Sequence, residues 1–351
     1  MEKNVLFFVI VFFSSFILAA LVTPLASKIA IRNKILDKPG LHKTHVKPQP
    51  LLGGMAIFIG FAATMLLFLD VDEKLVSMVT ATLVLLVTGL FDDIYDLKPI
   101  LKLTGQTAAA SIVVLWNDHL FIFMLEYFER FYIPGFIVFV LIIGWIVLMI
   151  NAFNIIDGLD GLAAGTAAVI FLAMAVLSIL TGGNPNILGV QLIGLGACLG
   201  FLIFNFNPAR IFMGDTGSML LGFVLATTHL FTIKYPFSAQ LVLGSIFVFA
   251  YPALDITFTI FRRLNSRSPL FKADRGHIHH ILRSLGFSVR KTVLIIYAVN
   301  VFFAVIAIIL LGLDIRPVYL LFIGLLMIIG VIVVFRKLLA ISERNGISSD
   351  S

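Results

Sequence analysis

The chain has 351 residues, 60% of them hydrophobic and 13% charged, with a mean hydropathy of +1.09. A soluble domain carries about 25% charged residues, so these values exclude one and define an integral membrane protein. The net charge of +6 does not mark a nucleic-acid binder, because the basic residues sit in short loops between apolar runs, as membrane topology requires.

A helix needs about 20 apolar residues to cross the hydrocarbon. In chain order the runs 4–30, 51–69, 75–91, 103–116, 134–153, 159–180, 187–204, 219–235, 238–261, 291–312 and 317–335 meet or approach that length. They predict an all-α, polytopic protein of eleven spans. The first run follows Lys3 as a signal peptide would, but it is longer than a usual signal core and no cleavage site precedes the basic loop, so it is read as a retained span. Residues 117–133 are too polar for a span and read as an interfacial hairpin or amphipathic helix. The single cysteine, Cys198, lies in an apolar run and forms no intrachain disulfide. The expected organisation is one transmembrane domain, 1–335, and a short polar tail, 336–351.

Twenty of the 25 Lys and Arg residues fall in or beside the loops 32–50, 92–102, 205–218 and 262–291 and the tail. This asymmetry places those loops and the C-terminus in the cytoplasm and the N-terminus outside. Asp37, Asp92, Asp93, Asp96, Asp157, Asp160, Asp215 and Asp274 then gather at one membrane face rather than at the midplane.

The loops in chain order carry one kind of chemistry. DKPGLHKTHVKPQPLLGG (37–54) holds Asp37, Lys43, His45 and Lys47, and Gly53 and Gly54 open the second span. In FDDIYDLKP (91–99), three carboxylates within five residues at a helix end can hold a divalent cation and, through it, a diphosphate; a solvated loop is the plainer reading. In NAFNIIDGLDGLAAG (151–165), Asn154, Asp157 and Asp160 step by three, so on a helix they share a face. Polar side chains are costly at the end of a span, which favours function over helix packing. FMGDTGS (212–218) precedes the eighth span. Thr216 or Ser218 can cap that helix, and its N-terminus can receive an anion with Asp215 alongside to hold a metal. Upstream lie Asn205, Asn207 and Arg210.

The loop 262–290 contains His277, His279 and His280 among Arg and Lys. No cysteine and no HExxH spacing supports zinc, so a phosphate pocket suits these residues better, with attraction to anionic headgroups as the plainer reading. Acids, amides and bases around one mouth, with apolar helices beside it, point to metal-assisted phosphoryl transfer to or from a membrane lipid.

The ordered motifs DKPxxxKxHxxPxPxxGG, GxxDDxxDL…KLxGQ, NxxNxxDGLDGLAAG, FMGDTGS and HIHHxLxxLG span residues 37–287. They resemble the polyprenyl-phosphate N-acetylhexosamine-1-phosphate transferases. The HIHH form is similar to the TagO/WecA branch, which starts teichoic acid, O-antigen and related polymers, rather than to the muramoyl-pentapeptide branch. The resemblance implies a UDP-N-acetylhexosamine donor, UDP-GlcNAc by default, with undecaprenyl phosphate as acceptor, UMP as product and Mg²⁺ as cofactor, which Mn²⁺ can replace. It further implies that Asp215 and Asn154 are metal ligands, that Asp92 and Asp93 flank the catalytic centre, and that Asp157 and Asp160 line it. Phe212 would stack on uracil and Asn205 would bond the nucleoside. Lys43, Lys47, His277, His279 and His280 would contact substrate phosphates or sugar. Homodimers occur in the family. Two positions depart from its pattern: His42 and Ile281 stand where arginine is usual.

Two rival readings explain less. An intramembrane prenyltransferase of the UbiA type accounts for DDIYD but gives no reason for FMGDTGS or HIHH. An ion-coupled transporter keeps its binding acids near the midplane in broken helices, whereas here they gather at one face.

Overall fold

The computed structural model describes residues 4–37, 48–117, 121, 122, 125, 132–232, 246–265, 276–313, 319, 322–326, 329, 330, 333 and 337. Lys43 and Lys47 lie outside these residues. The described elements are helices α1 (Val5–Arg32), α2 (Gly53–Phe68), α3 (Glu73–Tyr95), α4 (Pro99–Trp116), α5 (Gly135–Ile156), α6 (Leu162–Leu180), α7 (Pro185–Asn205), α8 (Gly214–Thr232), α9 (Ala250–Asn265), α10 (Ile278–Ser284) and α11 (Val289–Gly312). One antiparallel pair, β1 (Leu36–Asp37) with β2 (Gln49–Pro50), joins the ends of the first loop in the register Leu36 to Pro50.

The chain is a multi-pass, all-α membrane protein. Among the described residues, α1, α3, α4, α5, α6, α7 and α11 are long and apolar enough to cross a membrane, and α2 is a shorter apolar helix. The eighth predicted run corresponds to α8, and the ninth overlaps α9, since 233–245 are not described. The run 317–335 falls largely outside the described residues.

The helix starts follow local chemistry. Asp72 accepts from Leu75 N at 2.9 Å to open α3, Pro99 sits in the first turn of α4, and Ser288 caps α11. Each satisfies or removes an N–H that the helix cannot bond internally.

The chain divides into two compact units, 1–237 and 238–351. In the first, α8 is central, packed chiefly against α3 and α5 with α2 and α6 beside them. Every residue from Thr216 to Phe231 is buried. Its Thr227 and Thr228 hydroxyls are satisfied within the helix, donating to Phe223 O at 2.8 Å and to Val224 O at 2.6 Å, as an apolar interior demands. The periphery is greasy: Leu21, Leu25 and Ile29 of α1 are each more than half exposed, a surface suited to lipid. In the second unit α9 and α10 each pack against α11.

Candidate functional site

The α3–α4 corner is built by FDDIYDLKP. α3 ends at Tyr95 and is capped by Asp96, whose φ of 52° turns the chain, and Pro99 starts α4 three residues on. Asp92 sits in the last turn of α3, 7% exposed. One of its oxygens accepts from Leu97 N at 2.9 Å and the other meets Lys102 Nζ at 2.5 Å. The same ammonium lies 2.8 Å from Asp215 Oδ2. Lys102 is thus a cation shared by two carboxylates from different helices, which offsets the cost of holding both charges at a protein interior.

Asp93 faces the other way. Its Oδ1 accepts from Asp215 N at 2.7 Å, and its Oδ2 accepts from Thr216 N at 3.3 Å and from Thr216 Oγ1 at 2.7 Å. Asp93 therefore caps α8 from across the bundle. This corrects two expectations. The helix starts at Gly214, so Thr216 and Ser218 lie inside it rather than capping it. At the helix N-terminus, read in the sequence as a place for an anion, the N–H groups of Asp215 and Thr216 already face the protein's own carboxylate. Gly214 is required at the junction: its φ is +67°, and a Cβ there would lie 2.6 Å from both Asp93 oxygens.

The segment FMGDTGS is held from its other side by the start of α2. Phe212 N donates to Pro50 O at 2.8 Å, Gly53 N to Phe212 O at 2.9 Å and Gly54 N to Met213 O at 2.9 Å. These bonds fix the backbone of Phe212, whose side chain stays half-buried.

The acids of NAFNIIDGLDGLAAG do not share one helical face. α5 ends at Ile156, Asp157 is its C-cap, and a turn closed by Gly161 leads into α6. Asn154, still helical, donates to Ser218 Oγ of α8 at 3.1 Å and also meets Asp215. Burial holds the Asp157 carboxyl well above the ordinary range, and the charges of Asp215, Asp93, Asp160 and Asp37 push the same way. Asp160 turns to the 205–212 loop, where its Oδ2 accepts from Asn207 Nδ2 at 2.8 Å and Ala209 N at 3.0 Å. Asn205 is 2% exposed. Its amide donates to Ile211 O at 2.9 Å and accepts from Gly161 N at 3.1 Å, so both ends of the side chain tie backbone together.

The donor chemistry at Asp215 fits Mg²⁺. Among the described residues no three His, Cys, Asp or Glu side chains form a ready-made cage. Mg²⁺ is commonly held by one or two carboxylates with substrate phosphates and water completing the shell. Asp215 supplies a carboxylate, and Asn154, whose nitrogen is used on Ser218, retains its carbonyl oxygen.

In the second unit the histidines start α10. His277 is the N-cap residue and His279 and His280 lie in the first turn. His277 Nδ1 is 2.8 Å from Asp255 Oδ2 and 3.2 Å from Thr259 Oγ1. The rings of His277 and His279 are stacked at 5.8 Å. His279 is 1% exposed, and neither ring nitrogen has a hydrogen-bond partner. Burial pushes its imidazole down to about 3, with the neighbouring His280 adding to the effect.

Neither Lys102 nor Asp255 stands out as a site residue in the sequence. Lys102 stands in KLTGQ, where a lysine in a short loop reads first as a topological charge. Asp255 is a lone acid inside the apolar run 238–261, and that isolation was its signal.

Comparison with known proteins agrees with the motif order. Residues 75–233 match the family model described as glycosyl transferase family 4. The chain is 34% identical over 311 residues to the "Probable undecaprenyl-phosphate N-acetylglucosaminyl 1-phosphate transferase" of Bacillus subtilis, covering 88% of this chain and 87% of that one. It is 36% identical over 311 residues to the "Decaprenyl-phosphate N-acetylglucosaminephosphotransferase" of Mycolicibacterium smegmatis (77% and 73% covered). It is 30% identical over 288 residues to the "Undecaprenyl-phosphate alpha-N-acetylglucosaminyl 1-phosphate transferase" of Thermotoga maritima (82% and 86% covered).

Proposed function

Since the chain belongs to the polyprenyl-phosphate N-acetylhexosamine-1-phosphate transferases of glycosyl transferase family 4, we propose that it transfers N-acetylglucosamine 1-phosphate from UDP-GlcNAc to undecaprenyl phosphate at the cytoplasmic membrane face, releasing UMP. The product is the lipid-linked first sugar of a cell-envelope polymer. The observation that carries this reading is the convergence of Asp92, Asp93, Asn154 and Asp215, from three helices, around Lys102 and the start of α8.

Mg²⁺, held by Asp215 and Asn154, would supply charge neutralisation between the two anionic substrates. Lys102 adds a fixed positive charge at the same place. Phe212, with its backbone bonded on both sides, offers its ring to uracil. Asp160 and Asn205 act through the loop they hold rather than by touching the nucleoside. His277 and His280 are the histidines suited to a phosphate, since His279 is enclosed.

The acceptor is a phosphate monoester with a second pKa of about 6, so it is largely a dianion near neutral pH and needs little help from a base. Asp92 is a poor candidate for a covalent nucleophile, because both its oxygens are engaged and the residue is buried. The reaction is therefore a direct in-line attack by the lipid phosphate on the β-phosphorus of the donor. Purified protein should release UMP from UDP-GlcNAc only when polyprenyl phosphate is present, and a panel of UDP-sugars should single out the N-acetylglucosamine donor. Exchange of labelled UMP into UDP-GlcNAc in lipid-free detergent would show a phospho-enzyme instead.

A further inference from the structure

One face of α9 clasps the start of the histidine segment. Asp255, Thr259 and Arg262 are spaced at i, i+4 and i+7, which places them on one side of a helix. Asp255 Oδ2 meets His277 Nδ1 at 2.8 Å, and Asp255 Oδ1 accepts from Ile278 N at 2.9 Å. Arg262 Nη1 donates to Gly276 O at 2.8 Å. The guanidinium lies close over Gly276, so a Cβ there would displace it. Three consecutive residues, 276–278, are thereby fixed by one helix. Asp255 is 1% exposed and His277 5%, so water does not compete for these bonds.

The hydrogen bonds also determine which ring nitrogen carries a proton. The Thr259 hydroxyl has one hydrogen, and it is donated to Asp255 O at 3.0 Å. Toward His277 Nδ1 the hydroxyl can only accept. An ionised Asp255 carboxylate can likewise only accept. Nδ1 therefore carries a proton, and Nε2 is the ring atom left for a ligand.

We propose that Asp255 is a positioning residue: it holds His277 by its Nδ1–H so that, in the doubly protonated ring, Nε2–H donates to a substrate phosphate. The inference rests on the reading that His277 touches that phosphate. A carboxylate is required because two donors, His277 Nδ1–H and Ile278 N–H, arrive at its two oxygens. The amide of asparagine has one accepting oxygen, so it must forfeit one bond or turn its own N–H toward a donor. Carboxylates that orient a metal-ligating imidazole typically account for about 10- to 100-fold in function, and a similar factor is expected for one that faces a phosphate.

The test combines a spectrum with kinetics. Full-length protein labelled with ¹⁵N-histidine in lipid bilayers is examined by solid-state NMR, and the His277→Gln variant identifies the His277 signals. The wild type should show a protonated Nδ1 at His277, and Asp255→Asn should lower kcat about 10- to 100-fold with the KM for UDP-GlcNAc little changed. Asp255→Glu, which keeps two accepting oxygens, should recover part of the loss. An unprotonated Nδ1 in the wild type overturns the proposal without any variant needing to fold. Normal turnover in Asp255→Asn beside impaired His277→Gln overturns it as well. Normal turnover in both variants, with Nδ1 protonated as stated, also overturns it, but locates the error in the phosphate-contact reading of His277.

Discussion

The carboxylate of Asp93 caps the helix that carries Asp215, from 122 residues earlier in the chain. It takes the Asp215 and Thr216 N–H groups and the Thr216 hydroxyl with two oxygens. Asp92 meets Lys102 instead, so adjacent carboxylates do different work. One fixes where Asp215 stands, and the other shares a cation with it.

That division predicts different phenotypes for one chemical change. Asp93→Asn leaves a donor at the α8 start without an acceptor, which costs roughly 1–3 kcal/mol, so the detergent-solubilised variant should melt earlier as well as turn over more slowly. Asp215→Asn keeps the backbone N–H that Asp93 uses and removes only the charge. It should abolish turnover with little change in melting. Equal melting losses in the two variants would contradict the assignment.

Lys102 bears on metal affinity. Its ammonium lies against the same carboxylates that an incoming divalent ion needs. Lys102→Met should therefore bind Mn²⁺ more tightly than the parent in the absence of nucleotide, measured by electron paramagnetic resonance, while turning over more slowly. Weaker Mn²⁺ binding in the variant would show that Lys102 organises the carboxylates rather than competing for them.

Phe212 offers a test of nucleotide recognition. Stacking of a base on an aromatic ring is worth roughly 1–3 kcal/mol, and the bonds from Pro50 and Gly53 hold the Phe212 backbone whatever its side chain. Phe212→Ala should weaken UDP-GlcNAc and UMP by a similar factor. An unchanged inhibition constant for UMP would rule out the stacking role.

Sidedness can be read from labelling. Cysteines introduced at Ser266 and Ser349 should resist an impermeant thiol reagent in intact cells, whereas one at Asn184, the N-cap of α7, should react. Labelling of Ser266 from outside would reverse the topology drawn from Lys and Arg.

The helices were legible because runs of about 20 apolar residues have few other uses, and α3 to α7 lie close to the predicted runs. The chemistry of the site was legible from residue types. The partners were not. A carboxylate in DDIYD reads the same whether it faces a metal, a lysine or a helix end, and only packing brings Asp93 to α8 and Asp92 to Lys102. Asn205 reads as a ligand contact, yet both ends of its amide serve the backbone of its own loop and of Gly161. The glycines at 158 and 161 hid the break that separates Asp160 from Asn154. Asp255 has no neighbouring motif, and its meaning depends on His277, 22 positions later.

His279 makes the fold sensitive to acid. His279 is buried with no hydrogen-bond partner for either nitrogen, and its folded pKa is pushed down from 6.5 to about 3. Between those two values the unfolded chain binds a proton that the folded chain does not. Stability therefore rises with pH across that window, and acidification below about 6.5 weakens the fold. The histidine should impose this dependence whatever the rest of the protein does, because no carboxylate is bonded to its ring. Replacing it with phenylalanine keeps an aromatic ring in the stack beside His277 and removes the titration. The melting temperature of His279→Phe in detergent should thus fall less between pH 6.5 and pH 5 than that of the parent, even where the absolute value at pH 8 differs. A parallel fall in the two proteins would mean that His279 takes up its proton without unfolding, with a partner for the charge close at hand.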